Sequence, residues 1–338
     1  MTINLLAIDL AKNVFQLHGN DEKGRCVLKK KIKRLELFNF IQLLPPCVIA
    51  MEACSGAHYW ACRFQEAGHR VQLISPQHVK PFVKANKNDA NDAEAIAEAA
   101  SRPSMRFVPI KTNWQLELQA LHRSRSLLIT HRVALGNAIR AFLIEQGIAL
   151  PEGKSALQNW LSSELLTSNL SESFKELIQT LYAEYLSLSQ REALLLNKLE
   201  KIAKTDERAK RIQKIDGVGP LIATAMVASM GDPKHFKNGR QFSAWLGLVP
   251  KQHSSGGKQV LLGISKRGDS YLRSLLVHGA RSVINAAKRG NAHRSDWILE
   301  KVRTRGPNKT AVAIANHNAR VIWALIAKGE DFKEQKIA

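Results

Sequence analysis

Asn4-Leu5-Leu6-Ala7-Ile8-Asp9-Leu10 is a short, nearly unbroken apolar run that reaches a carboxylate, and it reads as a buried β-strand ending in Asp9. Working outward, Val14 to His18 reads as a second strand, and Gly19-Asn20-Asp21-Glu22-Lys23-Gly24 turns the chain into a third, Arg25 to Ile32. The three form a β-meander. A helical pattern from Leu35 to Leu44 stops at Pro45-Pro46, and Cys47 to Met51 supplies a fourth strand with Glu52 at its end. A helix from Ala57 to Ala67, a fifth strand from Val71 to Ile74 and a helix opened by Pro76 complete the order β-β-β-α-β-α-β-α. That order predicts an α/β domain, whose parallel strands present ligands at their carboxyl ends.

The acidic residues fall where that architecture would use them. Lys87-Asn88-Asp89-Ala90-Asn91-Asp92-Ala93-Glu94 opens an alanine-rich helical run that continues to Ala100. Positions three apart on a helix share a face, so Asp89 and Asp92 can point at one spot. Two like charges so placed repel each other, and a helix N-terminus relieves only part of that cost. With Asp9 and Glu52 ending strands of the same sheet, four acidic groups from separate elements can converge on one sheet edge. Oxygen donors of this kind suit Mg²⁺, which is usually held by a few carboxylates together with phosphate and water. An N-cap with an acidic first turn is the competing explanation for Asp89 and Asp92. Lys12, three residues after Asp9, is placed to steady a phosphate or simply to be solvated.

The charge balance points to the partner. Fifty Lys and Arg against 29 Asp and Glu give a formal charge of +21 over 338 residues, which favours a polyanion, most simply nucleic acid. From Asp206 to Ala338 there are 24 basic and 10 acidic residues, so this segment is the better candidate for the main phosphate-binding surface. All of Cys26, Cys47, Cys54 and Cys62 lie early and form no C-x-x-C pair, as expected of free thiols in a reducing cytoplasm. Cys54, His58 and Cys62 recur at helical spacing, which reads as a buried helix face rather than a zinc site. No leader pattern and no apolar run of about 18 residues is apparent, so no membrane partner is expected.

Beyond the α/β region, Asn113 to Gly147 is helical in pattern, and a second helical stretch runs from Ser171 to about Lys204. The first carries His122, Arg123, Arg125, His131 and Arg132, which suit either subunit contact or tracking of a nucleic-acid backbone. Ile215-Asp216-Gly217-Val218-Gly219-Pro220 then has the spacing of a helix-hairpin-helix, in which Gly217 and Gly219 let backbone N–H groups meet a phosphate. Lys251-Gln252-His253-Ser254-Ser255-Gly256-Gly257-Lys258 reads as a flexible electropositive loop, and Lys266, Arg267 and Arg273 continue the basic character towards a helix from Ser270. A closing helix spans Lys309 to Ile326.

Taken together, Ala7-Ile8-Asp9-Leu10-Ala11-Lys12, Met51-Glu52-Ala53-Cys54-Ser55-Gly56, the Lys87 to Glu94 stretch, Gly247-Leu248-Val249-Pro250, Ser255-Gly256 and Ile264-Ser265-Lys266-Arg267-Gly268 resemble the DEDD transposases of insertion sequences. The group is numbered one hundred and ten in the insertion-sequence scheme and is related to the Piv-type DNA invertases. The resemblance implies an RNase H-like, RuvC-like α/β catalytic domain over residues 1–110 with Asp9, Glu52, Asp89 and Asp92 as its metal site. It further implies a coiled-coil linker and oligomerisation region over 111–205, and a mostly α-helical transposase domain with the helix-hairpin-helix over 206–338.

The resemblance also assigns a nucleophilic role to Ser255, the serine immediately before glycine, with Ser254 beside it as the alternative. Mg²⁺, or Mn²⁺ in its place, would polarise the scissile phosphate, and a phosphoserine-linked DNA end would form and be rejoined. The expected partners are donor and target DNA, a non-coding bridge RNA that pairs with both, and further copies of the chain in a dimer or tetramer. The expected location is the bacterial cytoplasm, at the nucleoid. The alternative function is a RuvC-like Holliday-junction resolvase or structure-specific nuclease that uses water as its nucleophile. The candidate nucleic-acid contacts are Gly217 and Gly219, through backbone N–H groups, and the basic residues Lys258, Lys266, Arg267 and Arg273.

Overall fold

The computed structural model describes residues 2–83, 89–255, 258–290 and 295–332, without the side chains of Asp89, Ala90, Ser255 and Gln259. The chain divides into two compact units, Met1–Leu116 with Met230–His235, and Glu117–Ser229 with Phe236–Ala338.

In the first unit β1 (Leu5–Asp9), β2 (Val14–Asn20) and β3 (Cys26–Lys33) form the expected antiparallel meander. Helix α1 (Arg34–Gln42) leads to β4 (Val48–Glu52), and α2 (Ala57–Glu66) leads to β5 (Arg70–Ile74). A single turn, α3 (Pro76–Val79), precedes α4 (Asp89–Ala100) and a short strand, β6 (Phe107–Val108). Among the described residues these strands make one mixed sheet ordered β3-β2-β1-β4-β5-β6. β1 and β4 are parallel neighbours, as are β4 and β5.

Alternation along each strand decides which residues face which layer. Leu6 and Ile8 on β1, Phe15 and Leu17 on β2, Ile49 and Met51 on β4 and Leu73 on β5 pack with Leu37 and Ile41 of α1 and with Trp60 and Phe64 of α2. The residues between them, Ala7, Ala50 and Ile74, pack on the other face against Ala95, Ile96, Ala97 and Ala99 of α4. Small side chains on both partners let α4 lie close to the sheet.

The second unit is mostly helical. Helix α5 (Asn113–Glu145), which begins in the first unit, is followed by α6 (Lys154–Ser163) and α7 (Glu172–Thr205), and Ser171 caps α7 by accepting from the Phe174 amide at 3.4 Å. Ile139, Leu143, Leu157, Trp160, Ile178 and Tyr185 from these three helices share one apolar cluster. Among the described residues, α5 alone is long and apolar enough, by length and composition, to cross a membrane. Its Arg125 and Arg132 both reach Glu192 of α7, at 3.0 and 3.1 Å, while Leu127, Val133, Phe142 and Ile144 on the same helix are exposed.

Helices α8 (Glu207–Ile212), α9 (Pro220–Met230) and α10 (Gly239–Trp245) lead to a two-stranded antiparallel hairpin, β7 (Pro250–Ser255) and β8 (Lys258–Ile264). The chain closes with α11 (Ser270–Lys288), α12 (Ser295–Arg305) and α13 (Pro307–Lys328). The segment around Ser255, expected to be a flexible loop, is therefore strand on both sides of Gly256-Gly257. Paired glycines are a hairpin signal when strand patterns flank them, and here the wholly polar run Lys251 to Ser255 on the first side obscures it.

Candidate active site

Asp9 is the last residue of β1 and Glu52 the last of β4, and both are partly buried. The parallel register pairs Ile8 with Met51, so the next step along each strand sets Asp9 beside Glu52, with Cα atoms about 5 Å apart. By the same alternation both side chains project to the face that packs on α4. Asp92, partly buried, lies in the first turn of that helix. Asp89 is the first residue of α4, and its side chain lies outside the described residues.

The electrostatics register this gathering. Burial pushes the Glu52 carboxyl above its ordinary range, and the Asp92 charge pushes it further. The Cys54 thiol is raised first by burial and then by the charges of both Glu52 and Asp9. Three acidic groups thus share one field at the carboxyl end of the central strands. Among the described residues no lysine or arginine forms an ion pair with Glu52 or Asp92, although Glu94, two residues on, takes Lys29 at 3.7 Å.

This donor set tests the implied metal. Among the described residues, no three His, Cys, Asp or Glu side chains already close on a single point as a finished cage. A hard dication does not require one, because Mg²⁺ keeps several waters and takes one or two carboxylates plus substrate oxygens. An all-oxygen donor set in which burial and the Asp92 charge hold the Glu52 carboxyl above its ordinary range fits such an ion.

Nearby candidates prove to be structural. His58 Nδ1 accepts from the Lys111 backbone amide at 3.3 Å and Cys62 Sγ donates to the Lys111 carbonyl at 3.5 Å, so these two hold a passing chain. Cys54, by contrast, lies before α2, exposed, and donates to the Ser55 carbonyl at 3.7 Å. The expected buried Cys54-His58-Cys62 helix face does not form, because the helix begins only at Ala57. Lys12 is exposed, and its carbonyl accepts from Arg34 at 3.3 Å.

In the second unit, Ser255 closes β7, paired in register with Lys258 of β8, while Ser254 is exposed and its Oγ accepts from Gln252 Nε2 at 2.9 Å. The base of this hairpin is pinned by two glycines. A Cβ on Gly247 would sit 2.1 Å from the Arg267 carbonyl oxygen, and one on Gly268 would sit 1.9 Å from that of Trp245. Both have left-handed φ, +74° and +81°, so only glycine fits on both counts. Backbone bonds from Lys266 to Gly247, 3.2 Å, and from Ser265 to Val249, 2.8 Å, complete the crossing. Lys258, Lys266 and Arg267 are exposed. Arg273 is partly buried and donates to the carbonyls of Leu246 and Arg267, at 3.3 and 3.2 Å, which ties down the same crossing.

Gly217, between α8 and α9, has φ +78°, and a Cβ there would meet the Gly279 carbonyl oxygen at 2.6 Å; around Gly219 there is open space. Of the basic residues on α5, His122 is buried and donates or accepts at both ring nitrogens, with Tyr271 and Thr224 each at 3.0 Å. Arg125 and Arg132 are held by Glu192, so these three serve internal packing rather than an exposed track. A sequence gives no sign of such tertiary partners.

An α/β sheet with acids at the carboxyl ends of adjacent parallel strands, carried on a strongly basic chain, defines an enzyme that works on nucleic acid. Residues 6–146 match the DEDD transposase model of IS110, and residues 209–294 match the model described as Transposase IS116/IS110/IS902 family. The chain is 47% identical to a probable family 20 transposase of Pseudomonas aeruginosa over 97% of its own length and 98% of that protein. It is 44% identical to the transposase for insertion sequence element IS1111A of Coxiella burnetii, over 98% of this chain and 92% of that one. It is 40% identical to the transposase for IS1328 of Yersinia enterocolitica, over 98% and 99%. The chain belongs to the IS116/IS110/IS902 family of transposases, enzymes that cleave DNA and transfer its strands.

Proposed function

We propose that this transposase is RNA-guided and dependent on a divalent metal, and that it cuts and rejoins DNA through a covalent serine intermediate. The observation that carries the reading is the placement of Asp9 and Glu52 side by side on the face that Asp92 approaches. On this reading residues 1–110 are an RNase H-like, RuvC-like catalytic domain, 111–205 a coiled-coil region for assembly into a dimer or tetramer, and 206–338 the transposase domain. The turn between α8 and α9 acts as a helix-hairpin-helix that offers Gly217 and Gly219 amides to a phosphate, while Lys258, Lys266, Arg267 and Arg273 add cationic contacts. A bridge RNA reads donor and target DNA by base pairing, and the chain acts in the bacterial cytoplasm at the nucleoid.

Asp9, Glu52, Asp89 and Asp92 would hold Mg²⁺, or Mn²⁺, which when bound polarises a phosphoryl oxygen and offsets the charge that develops in phosphoryl transfer. Ser255 Oγ attacks the scissile phosphorus and loses its proton, a Ser255–phosphate ester forms, and the departing deoxyribose oxygen takes up a proton. The hydroxyl of a second strand then attacks the same phosphorus, and Ser255 leaves with its proton restored. One phosphodiester is exchanged for another, so no external energy source enters. The exposed Lys251 and Lys258 of the same hairpin supply a positive field for this step.

The decisive experiment traps DNA on the protein under denaturing conditions, comparing the natural chain with Ser255→Ala, Ser254→Ala and Asp9→Ala. Covalent DNA in the natural chain and Ser254→Ala, and none in Ser255→Ala or Asp9→Ala, is the expected result. Undiminished cleavage by Ser255→Ala would instead identify a water-using nuclease of the resolvase type.

A further inference from the structure

One rung of the first unit's sheet crosses four strands. Lys31 on β3 pairs with Gln16 on β2, Gln16 pairs with Asp9 on β1, and the parallel register sets Asp9 beside Glu52 on β4. Paired residues project to the same face, so Lys31 shares the face of the carboxylates. Two strand spacings separate the Cα atoms of Lys31 and Asp9, about 10 Å, a gap that a lysine side chain and a bound phosphate together can fill. The next rung inward pairs Lys29 with His18 and His18 with Ala7, and there Glu94 of α4 takes the Lys29 ammonium at 3.7 Å. Lys31 and Lys33 lie beyond that pair, exposed, on the same face, and among the described residues neither forms an ion pair with an acid. Lys30, of opposite parity, lies over the Phe40 ring at 4.4 Å on the other side.

Lysines on an edge strand also guard against stray strand pairing. That role needs charge at the edge but no alignment with an acidic rung. Here, among the described residues, an ammonium with no acid partner lies level with Asp9 and Glu52, while the neighbouring lysine is neutralised by its own acid. Carboxylates repel a polyanion, and a cation level with them lowers the cost of bringing a phosphodiester to their edge.

We propose that Lys31 is a positioning residue that binds the phosphate next to the scissile one, on the β3 side of the carboxylates, with Lys33 meeting the phosphate beyond it. The inference rests on the carboxylate centre proposed above, and its test separates the two. The full-length chain is assayed with a duplex carrying the end of its own element and the cognate guide RNA. Binding in EDTA is followed against salt, and single neutral methylphosphonates are scanned along the cleaved strand.

Lys31→Ala is expected to weaken binding roughly tenfold and to lower the salt slope by about one, with Lys31→Arg restoring both. One methylphosphonate beside the cleavage site should weaken the natural chain by a similar factor and leave Lys31→Ala no weaker than it already is. Asp9→Asn should lose cleavage yet keep the full salt slope and methylphosphonate profile. An unchanged slope and profile in Lys31→Ala overturns the Lys31 assignment, whereas Asp9→Asn that still cuts overturns the carboxylate centre whatever Lys31 does.

Discussion

Replacing Gly268 by alanine tests whether the crossing beneath the serine hairpin is as tight as its geometry says. The new methyl group would lie 1.9 Å from the Trp245 carbonyl oxygen, a backbone atom that no side-chain rotation can move aside. The residue also sits at φ +81°, where an L side chain costs about 1–2 kcal/mol. Moving the Trp245 segment away adds an overpacking cost of about 1–3 kcal/mol. A central figure of about 3 kcal/mol corresponds to roughly 6–12 °C in the melting temperature of a unit this size. Gly263→Ala is the control, since no atom lies within 4 Å of its added Cβ and its φ is outside the left-handed region; it should shift the melt by no more than about 0.5 kcal/mol. Thermal unfolding reports the stability, and hydrogen exchange at the Ser265 and Lys266 amides, which bond to Val249 and Gly247, reports the crossing itself. If Gly268→Ala melts with Gly263→Ala and protects those amides equally, the two backbone segments are not locked together and the account of the hairpin's anchor is wrong.

Burial, reinforced by Arg125, lowers the His122 pKa to about 4 from an unfolded value of 6.5, so the unfolded chain binds the extra proton first as pH falls. The contribution is fully present above about pH 6.5 and is lost progressively down to about 4, where roughly 3 kcal/mol is gone; His122→Gln should flatten a melting curve measured across that window. Glu192→Gln leaves Arg125 and Arg132 facing a neutral amide at a site where each side chain is only about 15% exposed, and should cost about 1–3 kcal/mol in urea unfolding. Gly217→Ala and Gly279→Ala should each lower the melting temperature more than Gly219→Ala, since a Cβ at either of the first two enters the other's carbonyl oxygen, at 2.6 and 2.1 Å, while Gly219 has open space.

The meander and the two βα steps were legible because apolar alternation, two-residue breakers and strand-ending acids are local signals, and their bounds agree with the structure to within a residue or two. The same local signals give α5, α7, α11 and α13. Helix α6 and the short strand β6 carry too little periodicity of their own and take their form from the clusters they join, Leu157, Trp160 and Leu161 in one case and β5 in the other. Asp9 and Glu52 could be nominated from strand ends, but whether α4 docks on their face depends on Ala95, Ala97 and Ala99 meeting Ala7 and Ala50, which is a fact about distant partners. Likewise Gly247 and Gly268 look like ordinary turn residues, because a crossing of two backbones is invisible until both are in place. His122, Arg125 and Arg132 mislead for the opposite reason: a basic helix face looks exposed until the acid or hydroxyl that consumes it arrives from another helix.

The apolar core also fixes the acids more firmly than any contact among the acids does. Leu6, Ile8, Ile49 and Met51 must face α1 and α2, where they are fully buried. Because side chains alternate, positions 9 and 52 are then forced to the opposite face, towards Asp92, with no need for mutual attraction. A one-residue slip of β1 against β4 would send Asp9 into the cluster around Phe64 and Trp60 and expose Ile8 to the α4 side, burying a carboxylate among apolar side chains at a cost of several kcal/mol. The repulsive arrangement of carboxylates is therefore held in place by residues that never approach a substrate, which is why charge-neutralising replacements at Asp9 or Glu52 should leave the fold intact while removing the chemistry.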